Sequence, residues 1–175
     1  MSTFAADIRM WPSPQALAAH LANHKRSICD WVEGLTVHHT VNPTEEFWRG
    51  KRTMMSLMAF YRDVRGREAG PHLFITTGQI WQLTPLNMQG VHGSRCNSNR
   101  WGIEVVGNFD LKPWPKALAD IVIGSIAVLL QWRGLKADTI NGHRDCGSSK
   151  TCPGSAISLP AVQAAVRKRM QRSLR

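Results

Sequence analysis

The sequence predicts an α/β fold in which one domain, residues 1–175, holds a mixed central β-sheet flanked by helices. Short apolar segments bounded by turn residues alternate with longer segments of helical periodicity, which is typical of this class. With 175 residues, 43% of them hydrophobic and 19% charged, the chain is long enough to bury a core and too apolar to be disordered. No internal repeat or low-complexity segment divides it.

Helices are expected at both ends of the chain, on the periphery of a core that spans about residues 35–155. Ser13 supplies an N-cap and Pro14 the first helical position of a helix over 13–26. A second peripheral helix is expected over 160–173. It and the tail that follows carry the cations Arg167, Lys168, Arg169, Arg172 and Arg175.

Two further helices are expected within the core. A helix over 53–64 is predicted by apolar residues at helical spacing, namely Met54, Leu57, Met58 and Tyr61. Pro115 opens a long helix that runs to Trp132, and Gly134 is its C-terminal cap. The apolar stretch of this helix, 121–130, is too short to span a bilayer and therefore predicts a buried face.

Short apolar segments predict the strands of the sheet. Segments 73–76 and 80–83 flank Gly78 and are typical of a β-hairpin. Further strands are expected at 35–38, 101–106 and 139–141.

The chain is strongly basic, with a net charge of +10 and a pI near 10.2. This excess favours an anionic partner such as nucleic acid, an acidic polymer or the surface of a bacterial envelope. No helix-turn-helix or RNA-binding signature accompanies the charge, so specific nucleic-acid binding is not expected. The basic last helix is either a solvated face or a site of attraction to anionic envelope polymers.

Four cysteines, Cys29, Cys96, Cys146 and Cys152, permit two disulfides by number. The start of the chain lacks a basic region followed by a long apolar run, so no secretory signal is predicted and synthesis in the cytoplasm is expected. Reduced thiols are then expected, and a cysteine close to a histidine indicates a metal ligand.

The clearest chemistry lies in two segments, 37–40 and 142–154. They contain His38, His143 and Cys152, two imidazoles and a thiol that together suit a three-ligand zinc site. Zinc accepts nitrogen and sulfur donors, and a catalytic site leaves its fourth position to water. The set therefore predicts a metal-dependent hydrolase.

These segments resemble the type 2 zinc-dependent N-acetylmuramoyl-L-alanine amidases, a family that includes phage lysozyme-amidases, peptidoglycan recognition proteins and cytosolic anhydro-muropeptide amidases. The resemblance runs from about Leu35 to Gly154. It rests on four segments in order: Val37-His38-His39-Thr40, Pro71-His72-Leu73-Phe74-Ile75, 95–107 and 142–154. It implies the mixed sheet of these proteins.

The resemblance implies that His38, His143 and Cys152 hold Zn²⁺. It favours His38 over its neighbour His39. It also favours Cys152, which directly precedes Pro-Gly, over Cys146.

Two further residues receive catalytic roles from the resemblance. Glu104 lies in an apolar strand, pointing away from Ile103 and Val105, where a carboxylate either faces water at a sheet edge or has a function. The resemblance implies that it is the general base for the attacking water. Lys150 is by itself a solvated charge, and the resemblance implies that it stabilises the oxyanion of the attacked amide.

One departure from the family pattern concerns Pro71. Many phage amidases and peptidoglycan recognition proteins have a tyrosine at this position, whose phenol is able to bind the oxyanion. The muropeptide branch also lacks that tyrosine. A mechanism that depends on Glu104 and Lys150 is therefore expected.

Substrate contacts are expected from four residues: Arg95, Asn97, His72 and His92. By resemblance, Arg95 binds a carboxylate of the stem peptide, where a bidentate guanidinium fits; the alternative is a surface arginine. His72 and His92 are candidates for substrate contacts or for positions behind the metal ligands, and ordinary hydrogen-bonded histidines are the alternative.

The expected function is hydrolysis of the amide bond between N-acetylmuramic acid and L-alanine in peptidoglycan, by a monomeric endolysin that acts on the cell wall after release. The positive charge favours this interpretation. The nearest alternative is a cytosolic enzyme that recycles soluble anhydro-muropeptides. An alternative of another class is a non-catalytic peptidoglycan-binding module, against which the complete ligand set argues.

Overall fold

The structure is a computed structural model that describes residues 4–172. Within this range the chain forms six strands and four α-helices. The strands are β1 (Arg9–Trp11), β2 (Gly34–His39), β3 (Leu73–Thr76), β4 (Gln79–Gln82), β5 (Arg100–Val105) and β6 (Ile140–Gly142). The helices are α1 (Pro14–Ala22), α2 (Lys51–Ala59), α3 (Lys116–Arg133) and α4 (Leu159–Arg172). Residue 173 of the expected last helix, and Arg175, lie outside the described residues.

All six strands form one mixed sheet in the order β1-β4-β3-β5-β2-β6. Strands β3, β5, β2 and β6 are parallel to one another, whereas β4 is antiparallel to both β3 and β1. The expected α/β fold with a mixed central sheet is confirmed. Because β2, β5 and β6 are parallel neighbours, their carboxyl ends meet at one edge, where α/β proteins place ligands.

The two faces of the sheet carry different layers. Alternate residues of the strands, such as Val37 and Ile103, join the main core with α1, α3 and α4. The opposite face packs against α2 through a smaller cluster that includes Met54 and Phe74. Past this cluster the same face is polar and carries Thr36, His38 and Glu104, which are all buried.

Local signals explain where the helices begin and end. The Ser13 hydroxyl accepts a hydrogen bond from the Ala16 amide, and Pro14 opens α1 as expected. Gly134 ends α3 with a φ of 82°, a left-handed conformation that glycine adopts without steric cost. No helix among residues 4–172 is both long and apolar enough to cross a bilayer.

Three elements differ from the sequence prediction. The helix expected over 13–26 is α-helical only over α1 and ends at Ala22. Strand β1 was not expected; it is a three-residue edge strand that pairs only with β4. The helix expected over 53–64 is α-helical only over α2 and continues as a π-helical turn, Phe60–Val64. The expected hairpin is confirmed as the antiparallel pair of β3 and β4.

Candidate active site

Three side chains from different segments meet at the carboxyl edge of the sheet. His38 lies near the end of β2, His143 directly follows β6, and Cys152 lies in the loop beyond. One donor atom from each lies within 4.8 Å of the others, and His38 Nδ1 is 3.7 Å from Cys152 Sγ. Donor atoms about 2.0–2.3 Å from a tetrahedral zinc ion lie about 3.3–3.8 Å apart, so this separation suits zinc.

Main-chain hydrogen bonds hold the loop that carries Cys152. The Arg144 amide donates to the Cys152 carbonyl at 3.0 Å, and its guanidinium donates to the carbonyls of Gly154 and Ile157. The amide of His39 donates to Cys152 Sγ at 3.4 Å. Arg144, which the sequence did not single out, thus fixes the loop between two of the predicted ligands.

The protonation of the histidines fits metal binding. Burial is the main cause that lowers the pKa of His38 well below its usual value, and the charge of the neighbouring His92 is the next largest cause. Burial also lowers the pKa of His143. Both imidazoles are therefore neutral at pH 7 and able to donate a lone pair. Burial raises the pKa of the Cys152 thiol to about 12, and the nearby Glu104 adds to this rise. A zinc ion deprotonates a thiol that coordinates it, so the donor set suits zinc.

The expectation of reduced thiols is wrong for two of the four cysteines. Cys96 and Cys146 form a disulfide between segments 50 residues apart, whereas Cys29 and Cys152 are free and buried. Cys146 is therefore not available as a metal ligand. Because Cys96 precedes β5 and Cys146 follows His143, the disulfide links the loops on either side of the candidate metal centre.

Glu104 faces the same cleft from the neighbouring strand. It pairs in register with His38, is 8% exposed, and its Oε2 has no hydrogen-bond partner among the described residues. Burial raises the pKa of this carboxyl to about 8, while the charge of Lys150 acts in the opposite direction. An unpartnered buried carboxyl is costly to fold, which makes it a candidate for a functional group.

Lys150 approaches the centre from the loop between His143 and Cys152. Its side chain is exposed and lines the cleft with the three candidate ligands and Glu104. Its positive charge contributes to lowering the pKa of both His38 and His143. The ammonium group is thus an electrostatic neighbour of the centre.

The candidate ligands lie in a groove made of three adjoining parts. The central part, with a volume of about 620 Å³, contains the candidate ligands together with Glu104 and Lys150. Through Tyr61 and Glu104 it continues into an apolar part of about 580 Å³ beside α2. Through Arg67 and Lys150 it also adjoins a polar part of about 430 Å³. The groove therefore offers both apolar and polar surfaces to a bound molecule.

The sequence profile described as N-acetylmuramoyl-L-alanine amidase (Amidase_2) matches residues 29–155, well over half of the chain. The chain belongs to the N-acetylmuramoyl-L-alanine amidase family. The match includes all of the residues that surround the candidate centre.

Relatives and solved structures agree with this assignment. Peptidoglycan-recognition protein SC2 of Drosophila melanogaster is 25% identical over 141 residues, which cover 78% of this chain and 76% of that protein. The endolysin LysCS of Clostridium intestinale has a similar fold, with a TM-score of 0.64 at 21% identity over 78% of this chain and 84% of that one. Drosophila PGRP-LB gives a TM-score of 0.65 at 20% identity over 87% and 82%.

The four expected substrate residues of this amidase-family chain have different surroundings. Asn97 lines the polar part of the groove, and its Oδ1 accepts hydrogen bonds from the amides of His92 and Gly93. Arg95 is exposed and lies beside Gly147, outside the residues that line the groove.

The two histidines differ in their access to the groove. His72 is fully buried, its Nδ1 accepts from the Gly102 amide, and its Nε2 donates to the Met88 carbonyl. Both of its nitrogens are thus used by the main chain, and we assign it a structural role. His92 is 8% exposed, lines the central and polar parts of the groove, and is hydrogen-bonded to His38.

Tyr61 is the residue of the groove that sequence reasoning missed as a functional candidate. It is the only tyrosine in the chain and lies on the π-helical turn after α2. It lines both the central and the apolar parts of the groove, and burial together with the charge of Glu104 raises the pKa of its phenol. Pro71 is buried and does not line the groove.

Proposed function

We propose that this chain is a zinc-dependent hydrolase of the amide bond between N-acetylmuramic acid and L-alanine in peptidoglycan. One observation carries the proposal: a buried carboxyl with an unpartnered oxygen, Glu104, shares the cleft with the three-ligand set of His38, His143 and Cys152. A binding module needs neither a complete ligand set nor an orphaned carboxyl beside it.

The proposed zinc ligands are His38 Nδ1, one ring nitrogen of His143, and Cys152 Sγ. When bound, zinc supplies an activated water and a Lewis acid for the scissile carbonyl. The chain's own contribution is geometric: the strand pairing of β2 with β5 and the Arg144 hydrogen bonds hold the donors together before metal arrives.

Glu104 is the proposed general base. A carboxyl whose pKa lies near the working pH both accepts the proton of the attacking water and returns it to the leaving amine. Burial places the pKa of Glu104 at about 8, and any nearby positive charge lowers it. Lys150 supplies one such charge, and we propose that its ammonium also binds the oxyanion that forms at the carbonyl.

The charge of the central groove fits a substrate with carboxylates. Arg65, Arg67 and Lys150 line it, and within residues 4–172 none of these three side chains forms an ion pair. A stem peptide carries free carboxylates that are able to pair with such cations. PGRP-LB, one of the similar structures, has been solved as a mutant in complex with tracheal cytotoxin.

We further propose that the substrate is the wall polymer and that the chain acts as an endolysin, because its net charge of +10 favours an anionic envelope. The exposed cations Arg167, Lys168 and Arg172 on α4 add to this attraction. The second candidate is hydrolysis of soluble anhydro-muropeptides, which the cationic groove also suits.

The decisive experiment digests purified sacculi with zinc-loaded protein and identifies the new termini by mass spectrometry. The expected products are lactyl-terminated glycans and stem peptides with a free L-alanine amine. A parallel reaction with a soluble anhydro-muropeptide tests the second candidate, and cleavage of that compound alone would exclude the endolysin role. Binding of sacculi without any cleavage, by protein shown to contain zinc, would support the non-catalytic module.

A further inference from the structure

A chain of two hydrogen bonds leads from a backbone carbonyl to the candidate ligand His38. Nε2 of His92 lies 3.1 Å from the Arg100 carbonyl oxygen, and Nδ1 of His92 lies 3.1 Å from Nε2 of His38. A carbonyl oxygen only accepts, so Nε2 of His92 carries the proton and donates it. In the neutral ring Nδ1 then accepts, and the donor to it is Nε2–H of His38.

This pattern determines which nitrogen of His38 is free. With its proton on Nε2, His38 has its lone pair on Nδ1. Nδ1 is the atom that lies 3.7 Å from Cys152 Sγ, on the side of the candidate centre. The hydrogen-bond chain therefore points the lone pair of His38 toward the other two ligands.

The surroundings of His92 fix its ring from several sides. The amides of His92 and Gly93 donate to Asn97 Oδ1 at 2.9 and 2.8 Å, which fixes the backbone on both sides of the imidazole. The ring lies so close to Gly102 of β5 that a Cβ at this position would overlap it. The His38 and His92 rings meet edge to face, with centroids 5.1 Å apart.

We infer that His92 is a positioning residue that selects Nδ1 of His38 as the metal-binding atom, and not a substrate contact. The inference rests on the proposed zinc site. A hydrogen bond to the second nitrogen of a ligating histidine fixes its tautomer and orientation and raises its basicity. Here a neutral imidazole backed by a main-chain carbonyl fills the place that a carboxylate often takes.

A pair of amide variants tests this role with matched chemistry. In His92→Asn, the side-chain oxygen lies near the position of Nδ1 and is able to accept from His38. In His92→Gln, the amide lies near the position of Nε2 and reaches the Arg100 carbonyl, leaving His38 without its acceptor. We expect His92→Gln to lower zinc affinity by about 10–100-fold and His92→Asn to lower it much less.

Zinc affinity is measured by competition with a chromophoric chelator, without substrate, on variants whose fold is verified by circular dichroism. His72→Gln is the control, because His72 is also buried but has both nitrogens bonded to the main chain. It is expected to lower stability with little change in the zinc affinity of the folded protein. Equal zinc affinities of His92→Asn and His92→Gln would overturn the inference.

Kinetics at saturating zinc separate positioning from substrate contact. A positioning residue acts through metal occupancy, so His92→Gln should regain most of its kcat when zinc is in excess, with KM nearly unchanged. A raised KM that excess zinc does not correct would show a substrate contact and contradict the inference. If the wild-type chain bound no zinc, the proposed function itself would fail, which is a distinguishable result.

Discussion

His38 and Glu104 are direct partners on the parallel strands β2 and β5, and both side chains project from the same face of the sheet. Main-chain pairing in the middle of the sheet therefore sets the spacing between the proposed metal ligand and the proposed base. Their neighbours in sequence, Val37 and Ile103, point into the opposite core and are fully buried. A shift of either strand by one residue in register would send its functional group into that core and separate the two.

Replacement of Glu104 by glutamine is expected to abolish most hydrolysis and to retain zinc. The amide keeps the size of the side chain but accepts no proton from water, and loss of a general base costs about 10²–10⁴-fold in rate. The measurements are kcat on a muropeptide and zinc content by mass spectrometry. Glu46→Gln, at an exposed position outside the groove, is the control. Activity near that of the control would remove Glu104 from the mechanism.

The raised pKa of Glu104 predicts that the stability of the metal-free wild-type protein depends on pH, and that the stability of Glu104→Gln depends on pH less. The pKa of Glu104 is raised to about 8 from 4.5, so the folded state holds a proton that the unfolded state releases. Wild-type stability is therefore lost as pH rises from the unfolded-state pKa toward the folded-state pKa, by about 1.4 kcal/mol per pH unit at most. Glu104→Gln escapes this loss.

The test is urea unfolding of both proteins with a chelator present, at pH 5 and at pH 8. The buried histidines titrate alike in the two proteins, so their effect cancels in the difference. Glu104→Gln should gain stability relative to wild type as pH rises. A difference that stays constant over this range would mean that the carboxyl is already ionised in the fold.

Cys152→Ala is expected to lower zinc affinity strongly, because it removes one of three proposed donors. Cys29→Ala is the matched control: Cys29 is the other free, buried cysteine, and its thiol donates to the Leu86 carbonyl away from the centre. Zinc content after dialysis against a weak chelator is the readout. Equal zinc retention by the two variants would show that Cys152 is not a ligand.

Much of the arrangement around the site follows from local sequence. The two-residue period of a strand predicts that Glu104 and Ile103 face opposite sides of the sheet. In the structure Ile103 lies in the main core and Glu104 lines the groove. The Gly-rich segment after β6 brings His143 and Cys152 together, as the motif predicts. The hairpin and the caps of α1 and α3 depend on neighbours in sequence, and these were predictable for the same reason.

Features that depend on distant contacts were not predictable. Cys96 and Cys146 meet because β5 and β6 flank β2 in the sheet, an order that no local pattern encodes. Strand β1 has only one buried residue, Trp11, so its sequence has no alternating apolar pattern. Its extended backbone is held by hydrogen bonds to β4. Tyr61 lies in a π-helical turn, which contains an additional residue per turn that apolar spacing does not reveal.

Tyr61→Phe is expected to lower kcat by up to about 10²-fold while zinc binding is kept. No hydrogen bond of the Tyr61 phenol is found within residues 4–172, and the side chain lines the groove beside Glu104. The phenol is thus free to donate to a substrate. Steady-state kinetics with a muropeptide provide the test. An unchanged kcat would limit Tyr61 to packing.

The double variant Cys96→Ser/Cys146→Ser is expected to lower the free energy of unfolding by about 2–4 kcal/mol, since the disulfide closes a loop of 50 residues. It should also weaken zinc binding, because Cys96 adjoins Asn97, which holds the His92 backbone, and Cys146 lies three residues after His143. Urea unfolding and chelator competition measure the two effects.

Wild-type protein treated with dithiothreitol should behave like the double variant, whereas the variant itself should not respond. If both proteins respond equally to the reductant, the effect arises from metal chelation by the dithiol and not from the disulfide.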